Sequence, residues 1–509
     1  MVTALLSRSS GHGAYGQGTS FRKLAGTCFG ACTVLLNLAG AQSSQVRAAE
    51  AGRPNVLFIA VDDLNHWVGH LGRNRQTITP HLDRLATQGV TFTHAYCAAP
   101  VCNPSRAALM SGLRPHQTGV YDNKNDWRPE IDPAQTLIST FRKAGYFVGG
   151  SGKIYHGSFE RHNEWEEYLK REGADPKPSG DTGVGGIKFA PLDCNDEDLR
   201  EWKIVQYGID QLNRKQDRPF LLTIGLHKPH MPWNVPRKYY DMHPLEKIEL
   251  PPTKADDLAD VPPAGVKMAR PEGDHREMLE SGRWKEAVQG YLAAISYSDA
   301  MIGRLLEGLA KSEYRDNTIV VLWGDHGWHL GEKQHWRKFA LWEEATRAPL
   351  LWIVPGVTKP GGVCARTVDF MSIYPTLTDL CGIPMPQHIN GKSIRALLAD
   401  PQASWDQPAM TTFGYKNHAV RDEGWRYIRY ANGDEELYDE TNDPYEWENV
   451  ADRPEHTSKK AELAKFLPLE NAADKVQAGK KRAEQRTTAE DRPANKKAKK
   501  RAKKSLNGN

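Results

Sequence analysis

The sequence predicts an α/β fold: a large mixed, mostly parallel central sheet flanked by helices, followed by a small C-terminal antiparallel subdomain. Three observations predict it. Apolar runs of strand length without alternation recur at residues 54–61, 219–226, 318–323 and 350–354, as suits strands buried on both faces. Helical patterns separate these runs, the order expected of a layered α/β sheet. Beyond about residue 405 the pattern changes to short strands punctuated by turns.

The first run is Pro54-Asn55-Val56-Leu57-Phe58-Ile59-Ala60-Val61, and it ends in Asp62-Asp63. A helical pattern follows over residues 80–86, then a short strand near Val90-Thr91-Phe92. Residues 136–144 read as a helix leading into a strand at 146–150, and residues 196–215 as a helix leading into the strand at 219–226. The Pro-rich stretch 228–271 reads as an ordered surface excursion near the site. Residues 285–309 carry Val288, Leu292, Ile295, Ile302, Leu305, Leu306 and Leu309 at helical spacing. The strand at 318–323 runs into Gly324-Asp325-His326, and 350–354 supplies one more. In the C-terminal part, strands are expected at 410–415, 418–421, 425–430 and 436–438, with a turn at Gly433-Asp434. Polar residues cluster at the carboxyl ends of the long strands, where open α/β sheets place their ligand sites.

Length and composition suit a globular protein of more than one domain: 509 residues, 39% hydrophobic and 26% charged. The net charge of +4 is unevenly spread. Residues 456–509 hold 16 Lys and Arg against 6 Asp and Glu, which is +10 and leaves 4 − 10 = −6 for the rest. That basic stretch reads as a solvated tail, weakly helical or disordered. An acidic body behind an export segment argues against a nucleic-acid partner. Arg22 and Lys23 precede an interrupted apolar run over residues 24–39, and small residues follow at Ala39-Gly40-Ala41, Ala48 and Ala49. This is the pattern of a secretory signal. No later run reaches the ~18 apolar residues of a spanning helix, so no transmembrane anchor is expected in the mature form. The expected organisation is an export segment at 1–49, a catalytic domain at 50–404, an antiparallel subdomain at 405–455 and the tail at 456–509. Removal of Cys28 and Cys32 with the export segment leaves Cys97, Cys102, Cys194, Cys364 and Cys381.

Cys102-Asn103-Pro104-Ser105-Arg106 is followed by Leu109-Met110-Ser111-Gly112-Leu113-Arg114-Pro115. Alone, this reads as a cysteine before a helix start, with Pro104 in the first turn and Ser105 capping. Arg106 offers a guanidinium fork four residues on. Asp62-Asp63 and Asp325-His326 each follow a buried strand. Adjacent carboxylates repel unless a positive group lies between them, and their oxygens favour hard cations such as Ca²⁺ or Mg²⁺. Taken singly, each pair also reads as a solvated strand end. Gly152-Lys153-Ile154-Tyr155-His156, His227-Lys228-Pro229-His230 and Trp336-Arg337-Lys338 complete the set of cationic loops.

The C-x-P-S-R run resembles the maturation signature of the type I, formylglycine-dependent sulfatases. The H-K-P-H string, Asp325-His326-Gly327-Trp328, Val120-Tyr121-Asp122 and Trp127-Arg128 resemble the iduronate-2-sulfatase branch. Glu436-Leu437-Tyr438-Asp439, Asp443-Pro444 and Glu448-Asn449 resemble the closing segment of sulfatase sequences. The resemblance runs from about Pro54 to Ala451. One departure is Ser111-Gly112-Leu113-Arg114, where Thr-Gly-Arg is usual.

The resemblance implies an alkaline-phosphatase-like sandwich. It implies that a formylglycine-generating enzyme oxidises Cys102 to formylglycine, the nucleophile. It assigns Asp62, Asp63, Asp325, His326 and the Cys102-derived oxygen to a cation, with calcium expected and magnesium open. Arg106 and Lys153 would hold the sulfate and formylglycine oxygens, and His156 would act as general base. His227 and Lys338 would meet the sulfate and the leaving oxygen, with Lys228 and His230 on the substrate side. Apart from the resemblance, Trp127, Trp233, Trp328 and His329 are candidates for a sugar-facing wall, with internal packing the commoner role of such aromatics. The function implied is sulfuric ester hydrolysis on a sulfated carbohydrate, with a sulfated uronic acid as the branch-level expectation, by an exported, periplasmic or secreted enzyme. Two other readings stay open: a phosphoesterase or phosphonate hydrolase of the same superfamily, and a non-catalytic binder of sulfated glycans.

Overall fold

Strand β1 (Asn55–Val61) lies at the centre of an eight-stranded sheet, and every one of its residues is buried. Its side chains alternate between two separate cores. Leu57, Ile59 and Val61 enter one core; Val56, Phe58 and Ala60 enter the other. A strand packed on both faces needs no polar side, which is why the run shows no alternation. Each of these side chains larger than Ala60 contributes about 1.5–3 kcal/mol on burial. A computed structural model describes residues 52–474, apart from Ser158, Arg171, Glu172 and Asp181. The expected export segment at 1–49 lies outside the described residues.

In chain order the elements that build the site are α1 (Pro80–Ala86), β2 (Val90–Tyr96), α2 (Cys102–Ser111), α3 (Leu137–Lys143), β3 (Phe147–Gly152), β4 (Glu167–Leu169), α4 (Arg200–Asn213), β5 (Phe220–Leu226), α5 (Trp284–Lys311), β6 (Thr318–Gly324), β7 (Leu350–Ile353), β8 (Gly362–Asp369) and α6 (Ile373–Leu380). The sheet order is β8-β2-β7-β6-β1-β5-β3-β4. All neighbouring strands run parallel except around β7, which is antiparallel to both β2 and β6. The alkaline-phosphatase-like sandwich expected from the sequence is therefore present. Strand β8, which the sequence reading did not include, pairs with β2 at one edge, where Val363 and Ala365 are exposed.

The register of the central strands sets the level of the site. Val61 pairs with Gly324 on one side and with Leu226 on the other. Asp62, Asp325 and His227 are each the next residue, so three parallel strands deliver them to the same height. On β3, Gly152 pairs with Gly225, and the amide of Lys153 donates to the Gly225 carbonyl at 2.8 Å. A Cβ on Gly225 would lie 2.2 Å from the Lys153 carbonyl oxygen. Only glycine allows this approach.

The C-terminal sheet is an antiparallel meander of β9 (Ala409–Thr412), β10 (His418–Arg421), β11 (Trp425–Arg429) and β12 (Glu435–Asp439). Ala419, Ile428 and Tyr438 on one face pack against Leu341, Trp342 and Ala345. Val420, Tyr427 and Leu437 on the other face pack against Leu463 and Leu467. These last two residues correct the expectation of a disordered tail starting at 456. Helix α7 (Thr457–Ala464) docks on the sheet, and the Ala472 amide donates to the His116 carbonyl at 2.7 Å. Apolar contacts made by two leucines outweigh the basic composition there. The rest of the expected tail, from 475, lies outside the described residues. Among the described residues, no helix is long and apolar enough to cross a membrane.

Candidate active site

Helix α2 begins at Cys102, with extended Val101 as its N-cap residue. Cys102 therefore sits at the positive end of a ten-residue helix. Ser105 does not cap this helix. Its hydroxyl donates to the Asp325 carbonyl at 2.5 Å, tying α2 to the loop after β6. Arg106, one turn on, is fully buried and faces inward. Its Nε donates to Asp325 Oδ2 at 2.8 Å and one terminal nitrogen reaches Asp62 Oδ1 at 3.3 Å.

Three buried carboxylates converge here. The Asp63 amide donates to Asp325 Oδ1 at 2.9 Å, and the Lys153 ammonium bonds Asp62 Oδ2. Lys338 donates to Asp63 Oδ1 at 2.7 Å and to the Cys102 sulfur at 2.8 Å. His326 Nε2 lies 3.3 Å from both the Cys102 sulfur and Asp63 Oδ1, while its Nδ1 is 3.0 Å from the Gly327 carbonyl. A proton on Nδ1 satisfies that carbonyl and leaves the Nε2 lone pair aimed into the cluster.

Charge explains the protonation states. Burial alone would raise Asp62, but Lys153 and Arg106 hold it well below the usual carboxylate range. Burial likewise opposes the ammonium of Lys338, yet Asp63 and its neighbours hold it above the ordinary lysine value. Burial pushes the Cys102 thiol up, so the encoded side chain is a protonated, poorly nucleophilic thiol. His156 is pushed down to about 3 by burial and then by Lys153. It is a neutral imidazole whose buried Nδ1 has no hydrogen-bond partner.

The residues fit a divalent cation. Asp62, Cys102, Asp325 and His326 form one compact group, and Asp62, Asp63, Cys102 and His230 another. Asp63 Oδ2 is buried without a hydrogen-bond partner, as a carboxylate oxygen reserved for a hard cation would be. Three carboxylates against Arg106, Lys153 and Lys338 give a net charge of 3 − 3 = 0. A divalent ion would raise this to +2, suited to an anionic ester.

Nearly all of the expected site residues meet. His227 Nδ1 stands 3.8 Å from Asp62 Oδ2. His156 is close enough for Lys153, Asp62, Lys338 and Arg106 to act on its proton affinity. Lys228 is instead buried, its ammonium bonded to the Pro232 carbonyl within its own loop. The proposed sugar-facing wall is also corrected. Trp127, Trp233, Trp328 and His329 are at most 2% exposed. Trp127 stacks on Tyr155 at 4.5 Å, and Trp233 and Trp328 pack with Tyr291. Large aromatic surface was better buried than presented to a ligand. Two contributors had been missed or underweighted. His230 Nε2 lies 3.8 Å from Asp63 Oδ2, and its signal was the H-K-P-H spacing. Tyr291, in α5, donates to the Asp63 carbonyl at 2.8 Å and accepts from the Asn65 amide at 3.0 Å. No local signal marks it.

The sulfatase family profile matches residues 54–383, and the profile for the C-terminal region of N-sulphoglucosamine sulphohydrolase matches residues 331–472. The chain belongs to the type I sulfatase family. A sulfatase of Formosa agariphila is 39% identical over 451 residues, covering 83% of this chain and 88% of the relative. Human iduronate 2-sulfatase is 29% identical over 383 residues, covering 65% and 70%. The solved phosphonate monoester hydrolase of Silicibacter pomeroyi superposes with a TM-score of 0.70 at 20% identity, over 81% of this chain and 94% of that one. That likeness establishes the fold this sulfatase shares. Its family places it among the sulfuric ester hydrolases, with the buried Asp/His/Cys cluster as its potential divalent-metal site.

Proposed function

We propose that this sulfatase removes sulfate from an acidic carbohydrate and that residue 102 acts as formylglycine. The observation that carries the reading is the meeting of Cys102 with Asp63, His326 and Lys338 at one buried point. Oxidised to formylglycine and hydrated, residue 102 supplies two hydroxyls: one takes the sulfuryl group, and the other, on losing its proton, expels sulfate and restores the aldehyde. A divalent cation held by Asp62, Asp63, Asp325 and His326 would lower the pKa of the attacking hydroxyl and stabilise the oxyanion.

The chain's own groups do the rest. Arg106 and Lys153 fix the carboxylates and spread positive charge toward the sulfate oxygens, preorganised before the ester arrives. As the sulfur–oxygen ester bond breaks, Lys338 or His227 gives a proton to the departing sugar oxygen. His156, neutral with a free Nδ1, accepts the proton of the second hydroxyl. Calcium is the proposed ion because three of the four ligands are carboxylates, with magnesium the alternative.

The substrate class is inferred from the iduronate-2-sulfatase-like H-K-P-H and Asp325-His326-Gly327-Trp328 segments and from the 29% identity to the human enzyme of that name. A sulfated uronic acid is the first candidate. Export to the periplasm or beyond, and maturation by a formylglycine-generating enzyme, follow from residues 22–49 and the C-x-P-S-R run. The phosphoesterase or phosphonate hydrolase reading shares the fold and can share the C-x-P-S-R run, and the iduronate-type segments favour sulfate over it. Side-by-side assay of aryl sulfate, aryl phosphate and phosphonate monoester, with peptide mass at residue 102, tests the proposal. An unconverted thiol in active enzyme, or a preference for the phosphorus esters, would overturn it.

A further inference from the structure

A cavity of about 570 Å³ lies between residues 267–275, the segment 335–339 and Phe413. Its wall contains Arg337 and Phe339, the two neighbours of Lys338, whose ammonium touches Cys102. One lysine side chain thus links this wall to the sulfate-transfer centre. The His335 ring braces the junction, with Nε2 2.7 Å from the Lys338 carbonyl.

The charge of the cavity is specific. Arg337 is held by Asp274 through two bonds of 2.6 and 2.9 Å, which neutralises the only carboxylate in the lining. Lys267 and Arg270 are exposed and form no ion pair among the described residues. Phe339 and Phe413, 6.1 Å apart, offer apolar ring surface beside these cations. Cations that bond carboxylate or sulfate, next to aromatic faces that cover the apolar side of a sugar ring, suit an acidic sugar.

Backbone conformation supports a built site. Arg270, Arg337 and Phe339 have φ of 55°, 75° and 78°, three of the eight non-glycine residues in the left-handed region among the described residues. Their gathering in one wall fits the tendency of such conformations to persist at ligand sites. A second cavity, of about 470 Å³, shares Lys267, Met268 and Phe413 and continues past Asn417 and Asn432.

We propose that this cavity is a saccharide subsite, in which Arg270 and Lys267 bind an anionic group on a sugar unit next to the sulfated one, so that the preferred substrate is an acidic oligosaccharide. The proposal rests on the sulfatase reading. It is tested first by binding, without turnover. Cys102→Ala protein, with and without Lys267→Ala and Arg270→Ala, is titrated calorimetrically with hexasaccharides of heparin, chondroitin sulfate and sulfated galactan. At least one is expected to bind the parent about tenfold or more tighter than the triple variant, the size of a lost charge-assisted contact. Equal affinity across the whole panel overturns the subsite. Desulfated heparin hexasaccharide identifies the anion: Arg270-dependent binding assigns it to the carboxylate, and binding that no longer depends on Arg270 assigns it to a second sulfate. In matured enzyme, Lys267→Ala/Arg270→Ala is expected to keep turnover of 4-methylumbelliferyl sulfate while KM for the bound oligosaccharide rises. Equal loss on both substrates overturns the proposal. Absence of any sulfate-ester turnover by matured wild-type enzyme would instead count against the sulfatase reading, which the binding arm does not need.

Discussion

The ammonium of Lys338 lies 2.8 Å from the sulfur of Cys102, although 236 residues separate them. The same ammonium holds Asp63 at 2.7 Å. A single cation therefore joins the nucleophile position to the proposed metal ligands. Replacing Lys338 by Ala is expected to lower kcat/KM on an aryl sulfate by about 10²–10³-fold, as for other preorganised charges. It should also destabilise the metal-free protein by about 3–5 kcal/mol, because one partner of a buried cluster is removed. Steady-state kinetics and urea unfolding measure the two effects. Unchanged kcat/KM would remove Lys338 from the chemistry.

Cys102→Ala should abolish turnover and leave stability within about 1 kcal/mol of wild type, because the change removes one small buried atom. Thermal unfolding and an aryl sulfate assay check this. Wild-type-like turnover by the variant would refute the nucleophile.

His156→Ala is expected to spare the first half of the reaction and to slow the second by about 10²–10⁴-fold. Stopped-flow measurement should show a burst of released alcohol followed by slow turnover, with sulfate release lagging. A uniform slowing without a burst would assign His156 another role.

Removal of divalent ions should lower both activity and Tm. Refilling at about 100 times Kd should restore about 2.7 kcal/mol. The comparison is calorimetry of chelated protein with Ca²⁺ or Mg²⁺ added back. A Tm indifferent to both ions would dismiss the metal site. A selective response to Mg²⁺ would replace calcium.

Asp299 gives a separate test of the electrostatics. It accepts the amides of His81 and Leu82 at 3.1 and 2.7 Å at the start of α1, and burial raises its pKa to about 7. An acid whose folded pKa exceeds its unfolded value is favoured in the fold at low pH. That contribution is lost as pH rises from about 4 to about 7. Asp299→Asn mimics the protonated form, so its stability relative to wild type should increase across this interval and level off above it. Parallel urea titrations at several pH values decide the matter; a constant difference would show that Asp299 does not titrate there.

Much of the site was legible because parallel strands buried on both faces leave continuous apolar runs, and their ends are marked by the next polar residue. The positions of Asp62, Asp325 and His227 are legible that way, and the sulfatase resemblance supplies their roles. Lys153 follows a glycine-rich strand end and Arg106 stands four residues after Cys102, and the resemblance, not the spacing, marks both as site residues. Strand β8 was not found, because Arg366 and the exposed Val363 and Ala365 blur the pattern at the sheet edge. The burial of Trp127, Trp233 and Trp328 was not legible either. A tryptophan in a loop reads the same whether it lines a groove or seals a core. The docking of Leu463 and Leu467 was masked by the lysines around them.

By itself, the sequence determined the kinds of chemistry available: carboxylates and a histidine at strand ends, a cysteine opening a helix, and cations in the loops that follow. Local pattern suffices for this, since periodicity and strand termini are properties of neighbouring residues. Tertiary structure alone decided which oxygen faces which cation, that Lys228 turns back to the Pro232 carbonyl of its own loop, and that Tyr291 braces Asp63. Those choices depend on register between strands and on packing of residues hundreds of positions apart, and such contacts form only when the whole core closes around them.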